Sequence, residues 1–340
     1  MLQSTWFFLW GLLWAVYFVT DGFDLGAGLL LPFLGKSDAL RRQIYKATGP
    51  LWDGNEVWLL TAGGVTFAAF PAVYATMFSA LYAPLMLILF ALIVRGVSWE
   101  FRNQVDDARW RGLWDGCMFV GSLLPALLLG VAFANIFRGL LLTQAGYEGT
   151  LVSLLNPYGL LGGVLFVLLF LVHGALWLGI KTEGELHESA IAAAGKLWVA
   201  LLFVAVVFLA ATWFATPLYG NYLAQPVLFI VPLVTVAALL AQRVWLAQAK
   251  LWRAWTASAV TIGGATFFGV IGLYPNMLPS RIDPAASLTA LNSSSSPLTL
   301  TTMLTVVAIF VPIVLAYQIW TYWLFSGKVA ADEPGVSEAY

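Results

Sequence analysis

Nine apolar stretches of roughly spanning length divide this chain, at about residues 5–34, 54–71, 73–95, 115–137, 158–180, 197–216, 225–246, 255–275 and 301–325. A helix that crosses a bilayer needs about 20 predominantly apolar residues. In hydrocarbon every backbone N–H and C=O must be paired within the segment or its closed sheet. The stretches here are continuous rather than alternating, which points to helices and not to a β-barrel. Charged residues make up 10% of the chain and hydrophobic residues 61%, with a mean hydropathy of +0.87. Soluble domains carry about 25% charged residues. The expected fold is an all-α polytopic membrane protein with nine transmembrane helices. It forms one helical domain over residues 1–329, with a flexible cytoplasmic tail over 330–340. Pro71 separates the second stretch from the third, and the second opens on polar residues. No charged leader or small-residue cleavage pattern precedes the first stretch, which is expected to be an uncleaved span.

Loop charges orient the spans. With the N-terminus outside, Lys36, Arg41, Arg42, Lys46, Arg95, Arg102, Arg109, Arg111, Lys181, Lys196, Arg243, Lys250, Arg253 and Lys328 fall in inner loops. Only Arg138 and Arg281 fall outside, out of 16 Lys and Arg in all. This is the asymmetry of the positive-inside rule, and it predicts an outer N-terminus and a cytoplasmic C-terminus. Removing the stretch at 54–71 would invert every later loop. Two outer loops are longer, about 138–157 and 276–300. The second carries Asn292-Ser293-Ser294-Ser295-Ser296-Pro297, a polar run expected to end by capping the last helix.

Asp21 and Asp24 stand inside the first apolar stretch, in Thr20-Asp21-Gly22-Phe23-Asp24-Leu25-Gly26-Ala27-Gly28. An Asp at a span's centre costs about 2.5–3.5 kcal/mol on insertion scales, and such a residue reads by default as functional. Spaced i, i+3, the two share a helix face. Asp21 lies about 24 Å along an inward-running helix at 1.5 Å per residue, so both carboxylates fall in the inner half of the membrane. Asp53 and Glu56, with the same spacing, stand where the second helix leaves the inner surface. Four carboxylates on one side suit proton or cation uptake from the cytoplasm.

Plainer roles compete with this one. Asp53, and Asp115 in a second Trp-Asp-Gly at Trp114-Asp115-Gly116, each suit a helix start. Glu56 can pair with a loop arginine. Gly22 and Gly26 suit close helix packing, which also leaves room beside Asp21. Trp58 reads as an interfacial or packing residue. Arg95, Glu100, Arg102, Asp106, Asp107, Arg109 and Arg111 read as a solvated inner loop with mixed salt bridges. His173, alone in a span, is expected to hydrogen-bond a neighbouring helix. Glu183, Glu185, His187 and Glu188 read as a solvated helix start ahead of a metal site. The single cysteine, Cys117, excludes an intrachain disulfide, and two histidines are too few for a multi-haem centre. No nucleotide-binding or nucleophile motif is present.

Several longer motifs carry a family resemblance. Thr20–Gly26, Trp52-Asp53-Gly54-Asn55-Glu56-Val57-Trp58 with Leu59–Gly64, Arg109-Trp110-Arg111 with Trp114-Asp115, Asn156–Gly163 and Gly184-Glu185-Leu186-His187 resemble subunit II of the cytochrome bd quinol oxidases, over about residues 5–325. The resemblance implies a membrane complex that reduces O2 to water with electrons from quinol. It implies that two b-type haems and haem d sit on subunit I, with no haem or metal held by this chain. It implies a role in assembly and haem shielding, a structural quinone in some members, and partners that include subunit I, a small single-helix subunit and lipid, with no nucleic acid. The implied location is the bacterial cytoplasmic membrane. Asp53 matches an aspartate associated with cytoplasmic proton delivery, and Trp58 a tryptophan near a proposed O2 route. Glu56 stands where some members carry Gln. The expected proton pathway is therefore Asp53, Asp21, Asp24 and Glu56. The rival reading is a proton- or cation-coupled secondary transporter, since intramembrane carboxylates and Gly-interrupted helices suit carriers too.

Overall fold

A computed structural model describes residues 1–330, so all but the first residue of the expected tail lies outside the described residues. Thirteen helices follow in chain order. They are α1 (Leu2–Leu34), α2 (Asp38–Thr48), α3 (Trp52–Ala69), α4 (Pro71–Ala80), α5 (Tyr82–Phe101), α6 (Ala108–Arg138), α7 (Leu151–Leu154), α8 (Pro157–Lys181), α9 (Gly184–Ala215), α10 (Tyr219–Ala224), α11 (Ile230–Ala247), α12 (Leu251–Leu273) and α13 (Pro297–Leu324). Eight of these are long and apolar enough to cross a membrane: α1, α5, α6, α8, α9, α11 with the turn before it, α12 and α13. The second expected span forms as helix α3, but Asp53, Asn55 and Glu56 in its first turns keep it out of that set.

α1 is the central post. It packs on α3, α6, α8 and α12, and its aromatic face (Trp6, Phe7, Trp10, Trp14, Tyr17 and Phe18) is buried. Glycines set its closest approach. A Cβ on Gly22 would stand 2.7 Å from the Phe170 ring, and one on Gly26 would collide with the Phe170 carbonyl of α8. The Gly22-x-x-x-Gly26 spacing is thus a helix-packing device. Asn156 caps α8 by accepting from Gly159 N at 3.0 Å. The following Gly162 and Gly163 lie against the α6 backbone at Gly130 and Leu127, so that motif also serves packing. At the other extreme, α13 leans on the bundle edge with only Leu300 buried.

Helix boundaries depart from the sequence reading in three places. The third stretch is two helices, α4 and α5, broken at Leu81. Pro84 lacks the N–H that a continuous helix would aim at Ala80, so α5 restarts just before it. α6 begins at Ala108, capped by Asp107, whose side chain accepts from Arg109 N at 3.0 Å. Asp115 therefore lies two turns inside α6 and is not a cap. α9 begins at Gly184, where φ is +66°, and not near 197. Its 32 residues reach about 48 Å at 1.5 Å per residue, longer than an upright crossing of a hydrocarbon core of about 30 Å requires.

The segment after α1, read as loop, contains α2, an amphipathic helix capped by Ser37. The two longer loops hold the antiparallel strand pairs β1 (Leu142–Thr143) with β2 (Gly146–Tyr147) and β3 (Asn276–Leu278) with β4 (Leu288–Thr289). A bridge between Leu140 and Ser280 joins them. Ser296 caps α13 as expected, accepting from Thr299 N at 3.2 Å.

Candidate functional site

Arg95 organises the site, and the sequence reading misplaced it. It was expected in a solvated loop. It sits within α5, fully buried, because hydrophobic sequence continues on both sides of it. Gly121 of α6 makes the room: a Cβ there would lie 2.8 Å from Arg95 Cβ. The guanidinium Nη2 donates to Asp21 Oδ1 at 2.6 Å and to Glu56 Oε1 at 3.0 Å. Its carbon stands 5.6 Å from the centre of the Trp99 ring, which itself stacks on Trp52. One buried cation thus ties α1, α3 and α5 together. Its Nε and Nη1, with Asp21 Oδ2, Asp24 Oδ1 and the Tyr17 hydroxyl one turn away on α1, are buried without a hydrogen-bond partner among the described residues.

Asp24 has a different partner set. Asn55 Nδ2 donates to its Oδ2 at 2.7 Å, and the Tyr322 hydroxyl donates to Asn55 Oδ1 at 2.8 Å. This chain of contacts links α1, α3 and α13. A second link lies a turn further along α3, where Trp58 Nε1 donates to Gln318 Oε1 at 3.0 Å and Gln318 Nε2 donates to the Gly54 carbonyl at 3.1 Å. Trp58 is 4% exposed, a packing residue with a satisfied indole.

The carboxyl groups grade from water to core. Asp53 is exposed in the first turn of α3, where the helix dipole favours it. The α3 cap is Leu51, with no side-chain cap bond, so Asp53 is not an N-cap. The Glu56 side chain is 21% exposed and that of Asp21 is 0% exposed. The structure therefore joins Glu56 and Asp21 through Arg95. It places Asp24 beside them on Asn55 and leaves Asp53 at the mouth without a hydrogen bond or ion pair among the described residues.

In a separate cluster, Asp115 and Asp38 take up three further arginines. Arg102 Nε donates to Asp115 Oδ1 at 2.7 Å, and its Nη2 to Asp38 Oδ1 at 2.7 Å. Arg41 Nη1 reaches Asp115 Oδ2 at 2.9 Å, and Arg42 pairs with Asp38. Burial pushes the Asp38 carboxyl up, but the hydrogen bond and charge of Arg102, with Arg42 and Arg111, outweigh it and hold the group below the usual carboxylate range. Neighbouring carboxylates likewise raise the Arg102 guanidinium against the effect of burial.

Both histidines hydrogen-bond to backbone carbonyls of the chain. His173 Nε2 lies 3.1 Å from the Val19 carbonyl, which can only accept, so Nε2 carries the proton. Nδ1 then accepts from Ser258 Oγ at 3.0 Å, so both ring nitrogens are hydrogen-bonded. His187 Nδ1 bonds the Gly179 carbonyl at 2.7 Å at the start of α9. Among the described residues no three His, Cys, Asp or Glu are grouped to hold a metal ion. Elsewhere, a cavity of about 100 Å³ lies between α1, α6, α8, α9, α11 and α12, walled by aromatic and aliphatic side chains that include Phe18, Phe166 and Phe170.

Sequence reasoning missed Arg95, Asn55, Tyr322 and Gln318 as members of the site. The signal for Arg95 was present, a lone arginine followed by apolar and aromatic residues in a stretch already carrying Pro84. Tyr322 and Gln318 are far away in sequence and gave none.

Comparison with known proteins agrees with this architecture. The family model for cytochrome bd terminal oxidase subunit II matches residues 2–325. A cytochrome bd-I ubiquinol oxidase subunit 2 from Escherichia coli strain K12 is 35% identical, over 98% of this chain and 96% of the relative. A cytochrome bd ubiquinol oxidase subunit 2 from Bacillus subtilis strain 168 is 36% identical, over 98% of both chains. A probable cytochrome oxidase subunit 2 from Haemophilus influenzae is 36% identical, over 97% of this chain and 96% of the relative. The solved bd oxidase of Geobacillus thermodenitrificans contains a chain with the same fold, with a TM-score of 0.77 at 17% identity, covering 95% of this chain and 97% of that one. None of these matches supports the transporter reading. The chain is a member of the cytochrome bd terminal oxidase subunit II family.

Proposed function

We propose that this chain is the haem-free subunit of a bacterial quinol:O2 oxidoreductase, spans the cytoplasmic membrane nine times with its N-terminus outside, and brings cytoplasmic protons toward subunit I. In this reading α3 is the ninth span, its polar first turns facing the partner or the inner surface. Subunit I carries two b-type haems and haem d, which supply electron transfer and O2 reduction when bound there. The apolar outer faces of α5, α9, α11 and α13 supply surface for subunit I, for a small single-helix subunit and for lipid. The apolar cavity beside Phe18 and Phe170 suits the tail of a structural quinone, held by contact area alone.

The observation that carries the proton role is the bridge of Arg95 between Glu56 and Asp21, with Asp53 exposed three residues before Glu56. Arg95 keeps its charge and donates only. It holds the two carboxyl groups near each other, and the protons pass between carboxyl groups and ordered water. The buried atoms without a protein partner are where such water binds. Asp21, Asp24 and Glu56 carry one arginine among them, a surplus of negative charge if all are ionised. Proton uptake relieves that surplus. Asp53 collects the proton, Glu56 and Asp21 relay it, and Asp24 buffers the route from its place on Asn55. Trp58 borders the route, where an O2 path through the packing of α3 against α13 is the family's implied role.

Asp53→Asn tests this. The purified complex is expected to keep its haem absorbance while quinol-driven turnover falls by about tenfold or more, within the range for removal of a positioned proton-transfer group. Proton uptake from the inner side of proteoliposomes should fall in step. Full haem content with unchanged turnover would overturn the role of Asp53.

A further inference from the structure

We propose that the Tyr17 hydroxyl carries protons onward from Asp21, through ordered water held along one face of α1. The inference rests on the proton-delivery reading and extends it beyond the carboxyl groups. Four buried side chains of α1 have a polar atom without a hydrogen-bond partner among the described residues: Trp14 Nε1, the Tyr17 hydroxyl, Asp21 Oδ2 and Asp24 Oδ1. Their spacing of three, four and three residues keeps them on one helix face. None of the four residues is more than 6% exposed. The stripe runs about 15 Å along the axis at 1.5 Å per residue.

Buried polar atoms are rarely left unpaired, and where the chain offers no partner ordered water supplies one. The preceding turns show that α1 can satisfy such groups directly. Trp6 Nε1 donates to the Leu300 carbonyl at 3.0 Å, and Trp10 Nε1 to Thr66 Oγ1 at 2.9 Å. The unpaired atoms of α1 are thus confined to its middle turns and end before Trp10. Arg95, which meets Asp21 from α5, adds its own unpaired Nε and Nη1.

Within the stripe only Tyr17 and the aspartates can relay. An indole N–H donates only, so Trp14 orients a water and ends the file without passing a proton, whereas a phenol both donates and accepts. A proton that reaches Asp21 leaves its carboxyl group for a water. That water gives a proton to the Tyr17 oxygen as the hydroxyl hydrogen passes to the next water. One proton moves, the phenol stays neutral and no electron is transferred. Tyr17 is placed for this step, one turn from Asp21. Its ring is set against Trp14 and Phe18, with 6.3 and 5.5 Å between ring centres, and its charged neighbours are Asp21, Arg95 and Glu56. A file that stops at Trp14 does not join the two membrane surfaces. It brings protons to the middle of α1, where subunit I draws on them without a leak across the membrane.

Tyr17→Phe removes one oxygen and keeps the ring. It is compared with wild type and with Asp53→Asn as purified whole complexes in proteoliposomes, with a short-chain ubiquinol as electron donor. Tyr17→Phe is expected to keep its haem absorbance and its KM for quinol while kcat and proton uptake fall by about tenfold. The solvent deuterium isotope effect on kcat should rise above that of wild type. A ring that served packing alone would move none of these. Normal turnover and uptake in Tyr17→Phe, with Asp53→Asn impaired, would overturn the role of Tyr17 and leave proton entry at Asp53 standing. Normal values in both variants would overturn both. A Tyr17→Phe complex that fails to hold haem would show the hydroxyl to be a structural contact, and would also overturn the relay.

Discussion

Arg95 is worth more to this structure as a partner than as a charge. Removing one member of a buried ion pair leaves the other uncompensated and costs about 3–5 kcal/mol, whereas replacing both by apolar groups of similar size is often neutral. Arg95→Met should therefore lower the melting temperature of the assembled complex sharply. Asp21→Leu with Arg95→Met should recover much of the loss while leaving proton uptake impaired. Thermal melts followed by haem absorbance check both. A double variant no more stable than Arg95→Met would show that Asp21 is not the partner that matters. The sequence made Asp21 conspicuous because a carboxylate in an apolar run has no ordinary explanation. It hid Arg95 because an arginine near the end of a span looks like a loop residue until the neighbouring helix is known to present Gly121.

At the scale of elements, two kinds of glycine separate clearly. Gly26 and Gly174 face each other across α1 and α8, where a Cβ on Gly174 would stand 2.5 Å from Ala27 N and one on Gly26 would collide with Phe170. A backbone-to-backbone contact cannot give way as a side chain can. Gly26→Ala is expected to prevent recovery of an assembled, haem-containing complex. Gly263, on α12, has nothing within 4 Å of its would-be Cβ, so Gly263→Ala should be stable or improve by up to about 1 kcal/mol through helix propensity. Equal yields for the two variants would contradict this division.

The arginine clamp around Asp38 makes a pH prediction. Asp38 has a native pKa below its unfolded value, so its pairing contributes fully above about pH 3.9 and is lost as pH falls through the native value. Asp38→Asn should lower the melting temperature at pH 7 by the equivalent of about 1 kcal/mol or less, since the carboxylate is partly solvated. The difference from wild type should shrink as pH drops below 4. A gap that widens on acidification would show that Asp38 does not act through its charge. α2 itself was not legible in the sequence. Its basic residues fitted the loop count, and its short apolar face of Leu40, Ile44 and Tyr45 gained meaning only against the bundle.

For the whole molecule, the span count and the orientation hang on one weak element. The apolar stretches were readable because lipid leaves few alternatives to a helix, and α1, α8, α12 and α13 lie close to where composition put them. α3 is the exception: its second half is apolar and its first turns are not, so hydropathy alone leaves its crossing open. Charge supplies what hydropathy lacks. If α3 crosses, Glu148 between α6 and α8 lies outside and Asp106 between α5 and α6 lies inside. If it does not, the loops after it change sides and nearly all the basic residues there face outward. Glu148→Cys and Asp106→Cys, in a Cys117→Ala background, separate the two cases by labelling with a membrane-impermeant maleimide. In intact spheroplasts Glu148→Cys should label and Asp106→Cys should label only after the membrane is opened. The reverse pattern would remove α3 from the membrane. Asp53 comes before the loops that change sides and would still face the cytoplasm, so the nine-span count would fail while cytoplasmic access to Asp53 would not.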